Sequence, residues 1–345
     1  MTFADAGPVA ASLLPVPAFL GALRLLDSYK LVTVRRTLRS ILVGCAVAAI
    51  CYGINSAAFA ALRGAPRWYL GLAAPAIEEI LKAAYVIWMI RTNRLGFMVD
   101  AAIAGFAAGA GFALVENVTY LEHFAGASPL LWIVRGFGTA MMHGANTAIV
   151  GIVATSTRSV PLGLTIAIVI HCAYNLELLP AVANAAMLLA LLPIVLALVF
   201  MQSESALRKW LGDRLDTDVD LLRAISTGQF SDTHAAAYLR SLKSSFAPEV
   251  VGDMLCLLQL SLELSARAKG DLLMREAGFD VPPDPSLSGK LKELSFLEKS
   301  IGPTGRRAMA PLIARSARDL WQVEMLRESS RASAPSRPRI DKVQD

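Results

Sequence analysis

The sequence predicts an all-α protein: a polytopic bundle of membrane helices followed by a soluble helical domain. Of its 345 residues, 55% are hydrophobic and 18% are charged, whereas soluble domains carry about 25% charged residues. The charges are unevenly distributed, because residues 1–202 hold 12 Lys/Arg and 8 Asp/Glu and the remaining residues hold 21 and 20. We therefore expect a membrane-embedded domain at 1–202, a soluble domain at 203–330 and a tail at 331–345.

Seven apolar segments of the first region are candidates for membrane helices, each of which needs about 20 mostly apolar residues. They lie at about 7–24, 40–62, 68–90, 97–120, 129–153, 160–178 and 180–201. The alternating pattern of a β-strand is absent from the sequence, so we expect a bundle of about seven spans.

Positive charges in alternate loops predict the orientation of this bundle. The loops after the first, third and fifth segments carry most of them: Lys30, Arg35, Arg36, Arg39, Arg91, Arg94 and Arg158. The loops on the other side carry only Arg63 and Arg67. Since cytoplasmic loops are enriched in Lys and Arg, we expect the N-terminus outside and the C-terminal domain in the cytoplasm. The lipid bilayer is thus a partner of the first region.

The region after residue 202 reads as soluble helices. Residues 247–279 have leucines at helical spacing, and two shorter helices are expected near 287–300 and 303–328. The Ser/Pro/Arg-rich tail at 331–345 is typical of disorder. We expect this domain to bind a cytoplasmic partner. The formal net charge of +5 comes mainly from loop arginines, so no nucleic-acid partner is indicated.

Polar side chains recur in four successive apolar segments, where they are costly and indicate function by default. They are Glu78, Glu79 and Lys82 in the third segment, Glu116 in the fourth, His143 in the fifth, and His171 and Asn175 in the sixth. A desolvated carboxylate can act as a general base, and an imidazole or amide can donate to a developing oxyanion. Together these groups suffice to activate water against a peptide carbonyl, and they could also bind zinc.

Four motifs in this order resemble the PrsW family of intramembrane proteases. They are EExxK at 78–82, FxxxEN at 112–117, the intramembrane His143, and HxxxN at 171–175. That family is similar to the CAAX-processing and bacteriocin-processing endopeptidases, which carry EExxxR, FxxxH and HxxxN. Lys82 and Glu116 depart from this second pattern and match the PrsW pattern.

The resemblance implies hydrolysis of a peptide bond in a membrane-anchored protein, such as a single-span anti-sigma-like regulator, in the bacterial inner membrane. It assigns water activation to Glu78, with Glu79 assisting it or pairing with Lys82. The remaining roles are oxyanion binding by His171 and Asn175 and positioning of the water by His143 and Glu116. No cofactor is expected, but a zinc-dependent mechanism stays open, with Glu78, Glu116, His143 and His171 as ligands.

Three other interpretations compete with the protease. One is a non-catalytic membrane receptor that signals through its cytoplasmic helices, but such a receptor would not need this set of buried polar residues. A transporter or proton relay also uses buried Glu and His residues, but it would be expected to show paired halves with broken helices, and the sequence has no such symmetry. A purely structural ion pair in the third segment would leave one carboxylate in excess, because Glu78 and Glu79 face only Lys82. The HExxH, GxGD and GxSG motifs of other intramembrane proteases are absent.

Overall fold

The structure, a computed structural model, describes residues 15–27, 29–123, 129–176, 178, 180–313 and 317–333. These residues form helices and short connections without any strand, which confirms the all-α class. The chain divides into two compact units, the first ending at Arg208 and the second beginning at Lys209.

Helices coincide with all seven predicted apolar segments. Their bounds are α1 Pro15–Leu26, α2 Val34–Leu62, α3 Ala74–Arg91, α4 Met98–His123, α5 Pro129–Thr157, α6 Val160–Asn175 and α7 Ala181–Ser226. A π-helical turn, Tyr69–Ala73, leads directly into α3. The helix expected to end near residue 201 instead continues to Ser226, so its polar C-terminal half extends the last apolar segment without a break.

Two helices of the described residues are long and apolar enough to cross a membrane: Val34–Leu62 and Met98–Val118. The predicted number of seven spans is therefore not confirmed. The reason is visible in α3, where Glu78, Glu79, Lys82 and Arg91 place four charges in 18 residues. Similarly, α6 has only 16 residues.

Glycines allow α4 to pack at backbone contact against two neighbours. A Cβ atom on Gly109 would lie 2.0 Å from the carbonyl oxygen of His143 in α5. On the opposite side, a Cβ on Gly44 of α2 would lie 1.9 Å from the carbonyl oxygen of Ala108. Small residues at such crossings are typical of helix packing in membranes. The close approach of α4 and α5 brings Glu116 and His143 to neighbouring positions.

Large apolar side chains on α2 are exposed, as expected for a surface that contacts lipid. They are Leu38, Leu42, Ile50, Tyr52 and Ile54.

In its described residues, the second unit is built from the end of α7, a 3₁₀ turn at Gln229–Asp232 and five α-helices. These are α8 His234–Leu242, α9 Pro248–Glu276, α10 Leu287–Ser300, α11 Gly302–Ile313 and α12 Ala317–Ser333. The helix predicted at 303–328 coincides with α11 and α12, and residues 314–316 between them lie outside the described residues. Of the tail predicted to be disordered, 331–333 belong to α12 and 334–345 lie outside the described residues.

A buried ion pair lies within the second unit. The Nζ atom of Lys269 on α9 is 2.5 Å from Oδ2 of Asp218 on α7, and the Lys269 side chain is 1% exposed. The same Asp218 oxygen accepts a hydrogen bond from the Ser265 hydroxyl. This pair ties α7 to α9 inside the unit.

Candidate active site

A buried ion pair lies at the centre of α3. The Nζ atom of Lys82 is 2.6 Å from Oε1 of Glu79, and neither side chain is exposed to solvent. Sequence spacing placed Lys82 on one face with Glu78 as well, but the structure pairs it with Glu79. Glu78 is left outside the ion pair, with 14% of its side chain exposed.

His143 on α5 connects this pair to α4. Lys82 Nζ lies 2.8 Å from His143 Nδ1, and because an ammonium can only donate, Nδ1 accepts. A neutral His143 then carries its proton on Nε2, which lies 2.5 Å from Oε2 of Glu116. The fully buried imidazole therefore links Lys82 to Glu116, whose side chain is 29% exposed.

His171 on α6 is held by the same ion pair. Its Nδ1 atom lies 2.8 Å from Glu79 Oε1, and an ion-paired carboxylate accepts, so Nδ1 carries the proton. The Nε2 lone pair is left free to accept, and it faces Glu78 Oε2 at 3.8 Å. This separation is too long for a direct hydrogen bond.

Asn175 lies apart from these contacts. Its side chain is exposed, and its Nδ2 atom donates to the carbonyl oxygen of Leu70 in the π-helical turn, at 3.2 Å. The structure thus brings five of the six candidate catalytic residues into one cluster, whereas Asn175 contacts the turn that precedes α3. One of its two amide N–H groups is used in this bond.

Sequence reasoning missed Asn55 and Tyr69. Asn55 Nδ2 lies 3.4 Å from Glu78 Oε1, and the Tyr69 hydroxyl donates to Asn55 Oδ1 at 2.8 Å. The available signal was a single amide inside the apolar run of α2. One isolated Asn is equally typical of helix–helix contacts, so only the fold reveals its partner.

Three side chains of the cluster suit a divalent metal. Glu78, His143 and His171 each offer one ligand atom within 4.8 Å of the others, and two imidazoles with one carboxylate form a known donor set for catalytic zinc. Glu79 holds the second nitrogen of His171, as carboxylates do for metal-binding histidines. His143 would have to release Lys82 or Glu116, because both its nitrogens are hydrogen bonded.

A helical membrane bundle with a buried cluster of carboxylates and imidazoles is the arrangement expected of an intramembrane protease. Residues 33–201 match the family model described as PrsW family intramembrane metalloprotease, so this segment of the chain is similar to the PrsW family. No curated protein and no solved structure matches the chain.

The match supports an intramembrane protease domain in this segment, and such a domain implies an integral membrane location and a membrane protein as substrate. The match includes all four helices that carry the candidate residues and ends before the second unit. The family description and the Glu78–His143–His171 group give no support to the expectation that no cofactor is used.

Proposed function

We propose that residues 1–202 form an endopeptidase domain in which Glu78 activates a water molecule to hydrolyse a peptide bond of a membrane-anchored protein. The observation that carries this proposal is the 3.8 Å separation between Glu78 Oε2 and His171 Nε2. Two acceptors at such a distance are readily bridged by one water molecule. Because Glu78 keeps partial exposure, a substrate carbonyl can reach the same position.

The ion pair prepares this site for proton transfer. Glu79 holds Nδ1–H of His171, which directs the free lone pair of Nε2 toward the water. Glu78 takes a proton as the water attacks the scissile carbonyl and returns it to the leaving amine. Lys82 neutralises Glu79, so that the carboxylate that orients His171 does not compete for the proton.

The remaining candidates have supporting roles in the proposal. His143 and Glu116 are hydrogen bonded to each other, and in the proposal they lie beside the water molecule and orient it. Asn175 retains one N–H group beyond its bond to Leu70 and can donate to the oxyanion. His171 can join it only after taking up a proton on Nε2, because that atom is an acceptor in the resting site.

A metal ion would be held by Glu78, His143 and His171. Glu116, which contacts His143, would lie beside it. A bound zinc would polarise the scissile carbonyl and supply a reactive hydroxide. In that case Glu78 would serve as a ligand rather than as the base, while Glu79 and Lys82 would keep the same positioning task.

The substrate we propose is a single-span regulator of the anti-sigma type in the bacterial inner membrane. The resemblance of the motifs supports the substrate, and the loop charges support an outer N-terminus and a cytoplasmic C-terminus. Residues 203–330 would then be a cytoplasmic domain that docks a partner, and residues 331–345 a disordered tail.

The test is cleavage of single-span reporter proteins by the purified full chain in liposomes, with and without a metal chelator. We expect cleavage within or next to the span of at least one reporter. Loss of cleavage on chelation, restored by zinc, would assign the metal mechanism. Persistence of cleavage would assign the metal-free one. Absence of cleavage of every reporter by folded protein, under either metal condition, would overturn the proposed function.

A further inference from the structure

Glu78 has a single side-chain hydrogen bond among the described residues, and this bond comes from outside the known motifs. Its Oε1 accepts from Asn55 Nδ2 on α2 at 3.4 Å, while its Oε2 faces His171 without a direct bond. Glu79, in contrast, is held by Lys82 and His171 together. The direction of the Glu78 carboxylate therefore depends on Asn55.

The Tyr69 hydroxyl anchors the oxygen end of the Asn55 amide. It donates to Asn55 Oδ1 at 2.8 Å, while the NH₂ group faces the Glu78 carboxylate, which can only accept. In the opposite orientation, the amide oxygen would face a carboxylate oxygen, and two acceptors would lie side by side. The hydroxyl thus donates to the amide and the amide donates to the carboxylate, so the two hydrogen bonds form one chain that runs in one direction.

The Tyr69 side chain, where this series of hydrogen bonds begins, is held in place by its surroundings. Its side chain is buried, with a relative exposure of 5%. Its ring packs edge-on against Phe59 at 5.5 Å and Trp68 at 5.8 Å between centroids. It opens the π-helical turn that runs into α3, and such turns are frequent at functional sites.

The same turn is held from its other side by α6. Asn175 donates to the Leu70 carbonyl, and a Cβ on Gly71 would lie 2.5 Å from the Leu176 side chain. The turn therefore connects the helix of His171 to the start of the helix of Glu78, and Tyr69 is fixed at its first residue.

We propose that Asn55 and Tyr69 are positioning residues for the catalytic carboxylate of Glu78, which rests on the proposed function. Asn55 directs Glu78 Oε2 toward His171 and the water, and Tyr69 holds the Asn55 amide in place. Neither residue contacts the reacting atoms. Their loss misdirects the carboxylate without removing the base or the surface that binds the substrate.

The predicted signature is a change in kcat with little change in KM. Asn55→Ala removes a hydrogen bond to a charged group, and the free energy of such a bond corresponds to a loss in kcat of about 10- to 100-fold. Tyr69→Phe keeps the ring packing and should lower kcat about 2- to 10-fold. Because Tyr69 acts on Glu78 only through Asn55, the double variant Asn55→Ala/Tyr69→Phe should be no slower than Asn55→Ala alone.

The experiment measures kcat and KM of the full chain in liposomes with the reporter that the wild type cleaves, together with thermal unfolding of each variant. Tyr52→Phe is the matched control, because it removes the same hydroxyl from an exposed side chain on α2. It should leave kcat unchanged. Because Tyr69→Phe preserves the packing, it should unfold near the wild-type temperature and keeps the test valid if Asn55→Ala fails to fold.

An unchanged kcat in folded Tyr69→Phe and Asn55→Ala, with cleavage by the wild type, would overturn this inference and leave the proposed function standing. Multiplying effects in the double variant, or a rise in KM alone, would overturn it equally. If the wild type itself cleaves no reporter, the proposed function fails and the positioning role falls with it.

Discussion

The ammonium of Lys82 contacts Glu79 at 2.6 Å, so the two adjacent carboxylates of α3 have different surroundings. Glu79 is buried in an ion pair and holds His171, whereas Glu78 is partly exposed and faces the free nitrogen of that imidazole. One carboxylate is thereby suited to orientation and the other to chemistry.

Replacement of Glu78 by Gln should lower the cleavage rate about 10²- to 10⁴-fold, the usual loss when a general base is removed. The shape of the side chain and its bond to Asn55 remain, so the unfolding temperature should stay near that of the wild type. Rates in liposomes and thermal unfolding check this, with the exposed Glu293→Gln as a control of unchanged activity. Full activity of folded Glu78→Gln would contradict the role of Glu78.

Lys82→Met should destabilise the membrane part by about 3–5 kcal/mol, because it leaves Glu79 buried without its cation. The double variant Glu79→Gln/Lys82→Met removes both charges and should regain most of this stability. It should not regain activity, because His171 loses the carboxylate that orients it. Thermal unfolding in detergent and cleavage rates test both statements. Equal stability of the single and double variants would argue against a buried ion pair.

Gly109→Ala should separate α4 from α5, since the added Cβ would lie 2.0 Å from the His143 carbonyl oxygen. Overpacking of this kind costs about 1–3 kcal/mol, and it should also slow cleavage by displacing His143 from Lys82. Gly53→Ala is the matched control on α2, where a Cβ meets nothing within 4 Å. Equal melting temperatures of the two variants would show that α4 and α5 are not at backbone contact.

In the second unit, Lys269→Ala should cost about 3–5 kcal/mol, because Asp218 would lose a cation that is itself buried. Lys290→Ala removes a lysine from a solvent-exposed pair with Glu263 and should cost about 1 kcal/mol or less. Calorimetry of the full chain compares the two variants. A loss for Lys290→Ala as large as that for Lys269→Ala would contradict this difference in burial.

The loop charges predict that reporters fused after residue 202 and within 120–130 lie on opposite sides of the membrane. A phosphatase fusion, active only outside, should be silent after 202 and active within 120–130. The reverse reporter, active only in the cytoplasm, should give the opposite pattern. If both fusion sites were on one side, the proposed orientation would be wrong.

The all-α class and the helices that carry the site could be predicted from the sequence. Long apolar runs are a direct signal of helices in a membrane, and charged groups inside such runs are costly enough to indicate a site. The four motifs indicated the PrsW family, because polar motifs that each lie within an apolar run are rare in combination. The number of seven spans stays a prediction, because only two described helices are clearly long and apolar enough and the site residues of α3 reduce its apolar character.

The sequence alone identified the candidate catalytic residues of this protein, but only the tertiary structure decided their partners. Residues three and four apart share one helix face, so spacing within α3 allows Lys82 to meet either Glu78 or Glu79. The structure pairs Lys82 with Glu79, and this pair is contacted by His143 from α5 and by His171 from α6. The contact between Asn55 and Glu78 likewise exists only once α2 lies against α3. Hydrogen bonds between distant segments leave no local pattern, and for that physical reason they are decided by the fold.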